Sequence, residues 1–422
     1  MTPTDRSLRP ASAGTSEPRR IDAPPRVLLL TDYFWPAKYT GGPVRVLTNT
    51  VRALGDRMRF RVLASHADDG PNPAMDALPA ARWTRFGRAR AMYVPGTVRG
   101  ALLVARTCVR ARGDVIYLNS IFSRPYSMLP LLLNRLGLLR GSAVVVAPRG
   151  EFGAAALAIK PRRKRVYLAL ARALGLFEGV RFQVTCDGER DDLARVLGVH
   201  ADPSSLVPDL GLLPDGEAGP REGEDGDGAL RVVFLGRIAR IKGLADALAA
   251  LREVRARVDF DIHGPVSEPD HWRDCEAAIG RLPPNVRVRW HGPCDPADVH
   301  ALLRRYDLFY CPTHGENFGH AIFEALGNGV PVLISDRTPW TGVGEAGAGW
   351  AIDPSDHAAQ AAAIERLAAT PPAERLAARL AARNFARESV ERSGAAQALF
   401  ALLTSARETA PSPRPTARRV TA

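Results

Sequence analysis

The 422-residue sequence contains no uninterrupted apolar run of eighteen residues, which is about the length that a membrane-spanning helix requires. Its most apolar stretch, residues 126–139, is shorter and includes Asn134 and Arg135. The N-terminal region is polar and carries arginine instead of the apolar segment of a secretory signal, so we expect the chain not to be secreted. Five scattered cysteines form no CxxC pair, which argues against a disulfide framework. We therefore expect a cytoplasmic protein.

Lysine is also scarce, since only four of the 57 basic residues are lysine and the others are arginine. Residues 1–205 carry 32 basic and 16 acidic side chains, a net charge of +16, whereas the remaining residues carry 25 and 29, a net charge of −4. This asymmetry indicates an anionic partner for the first half only, and nucleic acid, an anionic membrane surface or a phosphorylated acceptor would each fit. A base-composition bias toward arginine would produce the same excess, so the charge alone does not choose among them.

Several catalytic and metal-binding patterns are missing. The nine histidines show neither HxxxH nor HxH spacing, and the chain has no GxSxG motif of a serine hydrolase. It also lacks a Walker A sequence and a GxGxxG fingerprint, which argues against a P-loop ATPase and a dinucleotide-dependent dehydrogenase. We expect no metal site and no cofactor.

Short apolar runs alternate with segments long enough for crossover helices in both halves of the chain, a pattern typical of a doubly wound parallel α/β sheet. In the first half the runs are residues 26–32, 60–65, 114–120, 143–147 and 182–186. In the second half they are residues 231–236, 258–263, 286–291, 308–312 and 330–335. A polar, glycine-rich stretch at residues 214–228 separates the two series, so the sequence predicts two Rossmann-like domains.

The predicted organisation follows from these runs and from the polar termini. It comprises a disordered tail (1–24), an N-terminal Rossmann-like domain (25–205), a linker (206–229), a second Rossmann-like domain (230–385), a C-terminal helix (386–407) and a second disordered tail (408–422). We expect the C-terminal helix to pack back along the body. Because ligands of open α/β sheets bind at the carboxyl ends of the strands, the cleft between two facing domains is the expected site of chemistry.

The most informative segment is residues 313–331, which reads THGENFGHAIFEALGNGVP. Glu316 and Glu324 are eight residues apart, and Glu316 follows a predicted strand. We expect a helix to begin near Asn317, so that the carboxylates are separated by a helical rise of about 12 Å. That span matches the distance between the sugar and the ribose of a nucleotide-sugar. A bare E-x7-E pair is usually only two solvated glutamates, but the flanking glycine-rich loop and the GNGVP stop make the pattern far more specific.

Cations and glycines follow two other predicted strands. Arg237 and Lys242 come directly after the strand that ends at residue 236 and suit a diphosphate, although each could be a solvated surface cation. Gly41 and Gly42 precede a predicted helix and could present backbone N–H groups to phosphate, although a Gly-Gly pair is more often only a turn.

Arg149 and Glu151 end a further predicted strand of the first domain, and we expect both to project into the cleft. A structural ion pair between them is the alternative. The basic run at residues 160–165 follows them, and it is either a solvated loop or a contact to lipid headgroups.

These motifs together resemble the retaining glycosyltransferases of family 4, also called glycosyl transferases group 1, whose α/β fold is GT-B, two Rossmann-like domains facing across a cleft. The resemblance is carried by the turn at residues 236–243, the segment from Glu316 to Glu324 and the sequence GVPVLIS at residues 329–335. It extends over residues from about 26 to 405 and is strongest between 231 and 354. The first domain would bind the acceptor and the second the donor.

The resemblance implies a role for each matching residue. Arg237 and Lys242 would neutralise the donor diphosphate and stabilise the leaving nucleoside diphosphate, while Glu316 would bind hydroxyls of the transferred sugar and Glu324 the ribose. The donor-binding set is completed by residues that flank the sugar and the phosphates: Asn317, Phe318, Gly319, Gly41 and Gly42. Transfer would retain the anomeric configuration without a metal or a cofactor, and the donor would be a UDP- or GDP-linked sugar.

One departure concerns the acceptor side, where many family members carry histidine before glycine and this chain has Arg149 before Gly150. The sequence Pro-Arg-Gly-Glu resembles a bacterial subgroup associated with surface-polysaccharide assembly, which assigns Arg149 and Glu151 to the acceptor side. The resulting hypothesis is that the protein transfers a sugar to a saccharide acceptor, and we expect this acceptor to be lipid-linked. The reaction would take place at the inner face of the membrane, with the basic half of the chain in contact with anionic lipid.

Two other hypotheses remain open. A non-hydrolysing nucleotide-sugar epimerase has the same two-domain fold and would need no acceptor. A basic nucleic-acid-binding protein would use the arginines, but no array of stacking aromatic residues accompanies them, so we expect no nucleic-acid partner.

Overall fold

The computed structural model of the chain describes residues 24–111, 113–223 and 228–410. The predicted disordered tails lie outside these ranges, apart from residue 24 and residues 408–410. Within the described ranges, no helix combines the length and the apolar character that crossing a bilayer requires.

The first half of the chain builds a seven-stranded sheet whose core strands are parallel. The strands are Arg26–Leu30 (β1), Arg59–Ser65 (β2), Trp83–Phe86 (β3), Ala89–Val94 (β4), Val115–Leu118 (β5), Ala143–Val146 (β6) and Val180–Phe182 (β7). Their order is β3-β4-β2-β1-β5-β6-β7, and only β3 pairs antiparallel, with β4. Strands β5 and β6 are buried along their whole length, because helices cover both faces of the sheet.

Seven helices accompany this sheet in the described residues. They are Gly42–Leu54 (α1), Pro73–Asp76 (α2), Val98–Arg110 (α3), Leu129–Arg135 (α4), Ala154–Ala158 (α5), Pro161–Ala173 (α6) and Asp187–Leu197 (α7). Val44 and Leu47 of α1 pack in the apolar cluster on one face of the sheet. Helices α3, α4, α6 and α7 contribute to the cluster on the other face, which includes Leu28 and Leu30 of β1.

The second half builds a six-stranded sheet that is entirely parallel. Its strands are Leu230–Leu235 (β8), Val258–His263 (β9), Val286–Trp290 (β10), Leu308–Cys311 (β11), Val332–Ile334 (β12) and Gly349–Ala351 (β13). The order β10-β9-β8-β11-β12-β13 corresponds to 3-2-1-4-5-6 within this half, which is the doubly wound arrangement. The chain reverses direction across the sheet between β8 and β11, so the ligand crevice is expected at their carboxyl ends.

The helices of the second half cover both faces of that sheet. They are Leu244–Leu251 (α8), Pro269–Ile279 (α9), Val299–Leu303 (α10), His320–Gly327 (α11), His357–Ala369 (α12) and Pro372–Ser393 (α13). A final helix, Ala395–Glu408 (α14), follows α13 after Gly394, whose φ of 53° ends α13 in a left-handed turn.

The C-terminal helical region therefore differs from the single uninterrupted helix that the sequence predicts. Helix α13 contacts α11 of the second half, whereas α14 returns to the first half. Leu399, Leu402 and Leu403 of α14 join the apolar cluster that contains Val27 and Leu29 of β1. The expectation that the chain's last helix packs back along the body is confirmed.

Strand positions agree with the sequence prediction at most places and differ at four. The run at residues 182–186 was expected as a strand, but β7 occupies Val180–Phe182, and Val184 forms only an isolated bridge with Leu206. Three strands are additional, namely β4, which pairs with β2, the antiparallel β3 and the edge strand β13. Strands β3 and β13 are short, and the residues of β13 are only half-buried, so neither shows the continuous apolar run of a central strand.

Candidate functional site

The loops that follow β8 and β11 meet at the topological reversal of the second sheet, and they bring Lys242 and Glu316 together. The ammonium group of Lys242 forms an ion pair with Oε1 of Glu316. Both side chains are largely buried, at 20% and 16% exposure. The sequence placed these two residues on the same edge of the sheet, and the structure brings them into direct contact.

Backbone contacts between the two loops explain why these side chains meet. The N–H of His314 donates to the carbonyl of Ile241 at 2.7 Å, and the hydroxyl of Thr313 donates to the same carbonyl at 2.9 Å. Gly243 has φ of 71°, and a Cβ built there would overlap the carbonyl oxygen of Pro312. Only glycine permits both this backbone conformation and this close approach.

Arg237 lies in the same β8 loop but is exposed. Among the described residues its guanidinium makes no ion pair or hydrogen bond, in contrast to Lys242. The exposed Arg237 and the largely buried Lys242 therefore provide two positive groups of different reach for one anionic ligand.

Helix α11 begins at His320, three residues later than the predicted start near Asn317. The cause is Gly319, whose φ of 80° is left-handed and places the residues before it in a loop. The rise between Glu316 and Glu324 is therefore helical only from residue 320 onward. Phe318 packs against Trp340, and its carbonyl accepts a hydrogen bond from the indole N–H of that tryptophan. The aromatic contact fixes the loop that leads into the helix.

Glu324 is bound by a residue of the first half of the chain. The Nε of Arg45, in the first turn of α1, lies 2.8 Å from Oε1 of Glu324, and both side chains are mostly buried. The same guanidinium donates to the carbonyl of Pro296 at 2.9 Å. Burial raises the pKa of Glu324, and the charge of Arg45 opposes this effect.

The amino ends of α1 and α11 face each other across the cleft. A Cβ built on Gly42 would lie 3.7 Å from Cδ2 of His320, and Gly41 has φ of 60° as the residue before α1. Burial, together with the positive charges of Arg149, Arg45 and Lys242, lowers the pKa of His320 to about 3. The imidazole is therefore neutral at physiological pH.

Three side chains hold Arg149 at the carboxyl edge of the first sheet. Its guanidinium forms an ion pair with Asp209 and donates to Oδ1 of Asn119 at 2.9 Å and to the hydroxyl of Tyr117 at 2.6 Å. Its own φ of 56° is left-handed, which is uncommon for a residue with a Cβ. Burial raises the pKa of Asp209, and the charge of Arg149 opposes this shift.

The predicted alternative of an ion pair between Arg149 and Glu151 is wrong, because each takes other partners. The carboxylate of Glu151 accepts hydrogen bonds from the backbone N–H of Ile121 at 2.6 Å and from the hydroxyl of Ser120 at 2.9 and 3.0 Å. Burial raises the pKa of Glu151, and these hydrogen bonds partly offset the shift. Glu151 thus holds the loop after β5, whereas Arg149 pairs with Asp209.

The two halves of the chain contact each other at Gly150 and Asn317. The N–H of Gly150 donates to Oε1 of Glu189 at 2.5 Å, and Asn317 lies so close to its Cα that a Cβ there would overlap the Asn317 amide group. Asn317 is therefore adjacent to the acceptor-side loop as well as to Glu316.

Sequence reasoning missed three residues of this constellation, namely Arg45, Asp209 and His320. Arg45 carried a usable signal, because a cation in the first turn of a helix is unfavourable next to the positive end of the helix dipole. Asp209 lies in the predicted linker and carried no signal. His320 Nε2 is buried without a hydrogen-bond partner among the described residues, 3.9 Å from Oδ2 of Asp209.

The assembled site lies in the cleft and contains the carboxylates of Glu316 and Glu324 together with several positive groups. The N-termini of two helices, α1 and α11, also point into it. Backbone N–H groups at helix starts and the cations Arg237 and Lys242 suit a diphosphate, while Glu316 and Glu324 can accept hydrogen bonds from hydroxyl groups. The described residues contain no cluster of three or more histidine, cysteine, aspartate or glutamate side chains arranged to hold a metal ion.

Residues 229–370 match the protein-family model described as "Glycosyl transferases group 1". The matched segment contains the β8 and β11 loops, α11 and most of the second sheet's helices. It covers one half of the constellation, while Arg45, Arg149 and Asp209 lie outside it.

Two curated proteins illustrate the sequence similarity. The chain is 31% identical over 113 residues to the D-inositol 3-phosphate glycosyltransferase of Corynebacterium glutamicum, which is 25% of this chain and 26% of that protein. It is 32% identical over 162 residues to the glycogen synthase of Mycobacterium tuberculosis, 36% of this chain and 37% of that protein. The matched part of the chain thus spans between a quarter and two fifths of these relatives.

Solved structures match over nearly the whole chain. The sucrose-phosphate synthase of Thermosynechococcus elongatus covers 90% of this chain with a TM-score of 0.64 and 17% identity, and 98% of that chain is matched. Anabaena HepE, solved in complex with UDP and glucose, covers 90% with a TM-score of 0.61 and 16% identity, and 99% of it is matched. WaaG, a glycosyltransferase involved in lipopolysaccharide biosynthesis, covers 90% of this chain with a TM-score of 0.59 and 18% identity, and 99% of that chain is matched. The fold is therefore the GT-B architecture.

Proposed function

We propose that the protein is a glycosyltransferase that moves a sugar from a nucleotide-sugar to a saccharide acceptor. The observation that carries this proposal is the buried contact between Lys242 and Glu316 at the reversal point of the second sheet. Both residues lie within the segment that matches the glycosyl transferases group 1 model. A diphosphate at Lys242 would then sit beside a carboxylate suited to sugar hydroxyls.

The donor would lie along the second half of the chain. Lys242 and Arg237 would contact the diphosphate, Glu316 the sugar hydroxyls and Glu324 the ribose. Backbone N–H groups at the starts of α1 and α11 would point at the phosphates. The structure of Anabaena HepE with UDP and glucose makes UDP-glucose the first donor to test, with GDP-linked sugars next.

Transfer would retain the configuration of the sugar. The bond between the anomeric carbon and the β-phosphate oxygen breaks, the acceptor oxygen bonds to the same face of that carbon, and the acceptor proton passes to the departing phosphate oxygen. Positive charge from Lys242 and Arg237 would stabilise the leaving diphosphate, which is the type of electrostatic stabilisation that dominates at preorganised sites. In this proposal a metal ion is not required for that charge compensation.

The acceptor would enter from the first half of the chain, next to Arg149 and Asn317. The Pro-Arg-Gly-Glu sequence supports a saccharide on a lipid carrier, used in cell-surface polysaccharide synthesis at the cytoplasmic face of the membrane. Arg149 would offer a guanidinium in a fixed position there, because Asp209, Asn119 and Tyr117 hold it in place.

The experiment is a thermal-unfolding panel with UDP, GDP, ADP and CDP and their sugar conjugates in EDTA, followed by an assay for nucleoside diphosphate release with and without saccharide acceptors. Ligand binding to the folded state raises the unfolding temperature with the logarithm of ligand concentration over Kd. Lys242→Ala should weaken nucleoside diphosphate binding by about 10- to 100-fold, since a charge-assisted contact is lost.

Arg240→Ala is the matched control, because Arg240 lies in the same turn but is exposed and pairs with Asp274. Equal affinity of wild type and Lys242→Ala would remove the phosphate role of Lys242. Conversion of the nucleotide-sugar to an epimer without any acceptor would replace the transferase proposal by the epimerase hypothesis.

A further inference from the structure

The helices on one face of the first sheet expose an unusual number of apolar side chains. Nine of the thirteen large apolar side chains that are exposed in the described ranges lie between residues 98 and 174. Val166, Leu170 and Leu174 follow one another at helical spacing along α6 and its end, and they are 60%, 57% and 55% exposed. Soluble surfaces rarely present such a contiguous stripe without a partner.

Neighbouring helices extend this stripe into a surface. Val98 and Leu102 of α3 are exposed, one helical turn apart, and so are Leu132 and Leu136 at α4. Helix α3 contacts α4, and at the far end of α4 the Nε of Arg135 donates to the carbonyl of Leu174 at 2.8 Å. We call this surface, formed by the outward sides of α3, α4 and α6, the α3–α4–α6 face.

The side chains of these helices divide cleanly between two directions. Val104 of α3, Leu131 of α4 and Leu168 of α6 are buried in the same apolar cluster against the sheet. The exposed leucines and valines lie on the opposite sides of the same helices. They are therefore additional to the core and contribute nothing to covering the sheet.

The charge around this face is predominantly positive. Residues 98–176 contain 14 arginine and lysine residues but only two acidic residues, Asp114 and Glu151, a net charge of +12. Both acidic side chains are buried, whereas Arg162, Arg163 and Arg172 of α6 are exposed. Exposed apolar side chains are thus surrounded mainly by cations, and one exposed acidic side chain, Glu178, lies 3.8 Å from the guanidinium of Arg135.

We propose that the α3–α4–α6 face docks on an anionic phospholipid surface, with the leucine and valine side chains inserted at the headgroup boundary and the arginines on lipid phosphates. Surface helices that bind membranes combine these two features, because apolar burial and attraction to anionic lipid act together. This inference goes beyond the transfer reaction, since it assigns the surface by which the protein reaches lipid.

The chemistry of the face favours lipid over the two other partners that an exposed basic surface could take. Single-stranded nucleic acid is bound by arginines together with stacking aromatics, but the exposed tryptophans of the described chain, Trp35 and Trp290, lie on other elements. A symmetric dimer through this face would bring two surfaces of the same positive sign together. An anionic bilayer complements both the charge and the apolar stripe.

Docking in this way would place the lipid next to the acceptor-side loop. Lys164 near the start of α6 donates to the carbonyl of Ala156, lies 4.6 Å from the ring centroid of Phe122, and its charge lowers the pKa of Glu151 against the larger effect of burial. The amino end of α6 is therefore joined to the loops that hold Arg149 and Glu151. A lipid-anchored saccharide would reach the cleft from the surface on which α6 rests.

The test is flotation of the full chain with vesicles of phosphatidylcholine alone and of phosphatidylcholine mixed with phosphatidylglycerol, at low and high salt. We expect binding to the mixed vesicles that weakens with salt. Leu170→Asp should reduce the affinity by about tenfold or more, because an inserted side chain becomes charged. The matched control is Leu380→Asp on α13, where Leu380 is 44% exposed.

Charge is tested separately with Arg162→Ala/Arg163→Ala, which should weaken binding by about fivefold for each arginine that contacts the lipid. Its control is Arg59→Ala/Arg90→Ala, two exposed arginines at the opposite, amino edge of the sheet. Three outcomes would overturn the proposal. Leu170→Asp could bind vesicles as well as the wild type does, or the control variants could lose as much binding as the test variants. The third is a protein that binds no vesicles and forms a dimer that Leu170→Asp dissociates.

The nucleoside diphosphate shift measured on the same variants keeps the two proposals distinguishable. Leu170→Asp should retain that shift and its unfolding temperature, because its side chain lies outside the cleft and the core. Lost vesicle binding with an intact shift supports the α3–α4–α6 face whatever the donor proves to be.

Discussion

Arg45 and Glu324 form a mostly buried ion pair, with 2.8 Å between Nε and Oε1, that joins the first turn of α1 to α11 across the cleft. Arg45 belongs to the first sheet's layer and Glu324 to the second. The carboxylate that the resemblance assigns to the ribose is therefore already engaged by a cation of the opposite half. A ribose that binds Glu324 would share it with Arg45 or displace Arg45.

Glu324→Ala should weaken binding of a nucleoside diphosphate and leave binding of inorganic pyrophosphate unchanged, because the substitution removes a contact to the ribose hydroxyls only. The expected loss is about 10- to 100-fold in Kd, the range for a hydrogen bond to a charged group. Isothermal titration with both ligands measures it. Arg45→Ala should weaken nucleoside diphosphate binding less than Glu324→Ala does. An equal loss in the two variants would mean that the Arg45–Glu324 ion pair acts by holding the structure and that Glu324 does not contact the ribose.

Glu316→Gln should reduce sugar transfer by roughly 100-fold or more while the nucleoside diphosphate still binds, since the lost carboxylate faces the sugar in the proposed complex. Single-turnover transfer and titration of the nucleoside diphosphate give the two quantities. Glu345→Gln, at an exposed glutamate outside the cleft, is the control. Full activity of Glu316→Gln would exclude a role in the reaction.

Gly243→Ala should destabilise the protein and weaken nucleoside diphosphate binding, because a Cβ would push the β8 loop away from Pro312 and separate Lys242 from Glu316. Gly198→Ala isolates the backbone contribution, since Gly198 has φ of 68° but no atom within 4 Å of its Cβ position. We expect Gly198→Ala to cost about 1 kcal/mol in the free energy of unfolding, and Gly243→Ala clearly more. Urea unfolding compares them.

His320 should make the protein less stable as the pH falls from about 6.5 toward 3. Its pKa is about 3 in the folded state and near 6.5 when unfolded, so only the unfolded chain gains the proton in that window. One such proton changes the free energy of unfolding by about 1.4 kcal/mol per pH unit. His320→Gln should show a shallower dependence of the free energy of unfolding on pH, measured by urea unfolding at successive pH values.

Asp209→Asn should lower the free energy of unfolding by about 3 kcal/mol, because it leaves the buried guanidinium of Arg149 without its counter-charge. Asp187→Asn provides the comparison: its pair with Arg190 is exposed and should contribute less than about 1 kcal/mol. Similar losses in the two variants would mean that Asp209 does not stabilise Arg149. If Arg149 serves the acceptor, Asp209→Asn should also raise KM for the acceptor.

The sequence predicted the parts of the fold and the site that depend on local pattern. The apolar runs located the central strands other than β4, and the loops after β8 and β11 were expected on one edge, where Lys242 and Glu316 indeed meet. The start of α11 was predicted three residues too early, because the left-handed conformation of Gly319 is a tertiary choice that composition does not encode.

Contacts between distant segments could not be predicted in the same way. Arg45 and Glu324 are 279 residues apart, and Asp209 reaches Arg149 and His320 from a stretch without regular secondary structure. The exposure of the leucines on α3, α4 and α6 also depended on knowing which side of each helix the sheet occupies. From the sequence alone, only their proximity to basic residues was evident.

The return of α14 to the first sheet has a mechanical consequence. The chain connects the two halves twice, once through the segment after residue 206 and once at Gly394, and both connections are covalent. Two such tethers oppose sliding or full separation of the halves and leave rotation about the line that joins them as the easiest motion. The first of these tethers passes beside the site, since Asp209 pairs with Arg149 and lies 3.9 Å from His320. A relative motion of the two halves would therefore change the contacts at Asp209 without unfolding either sheet.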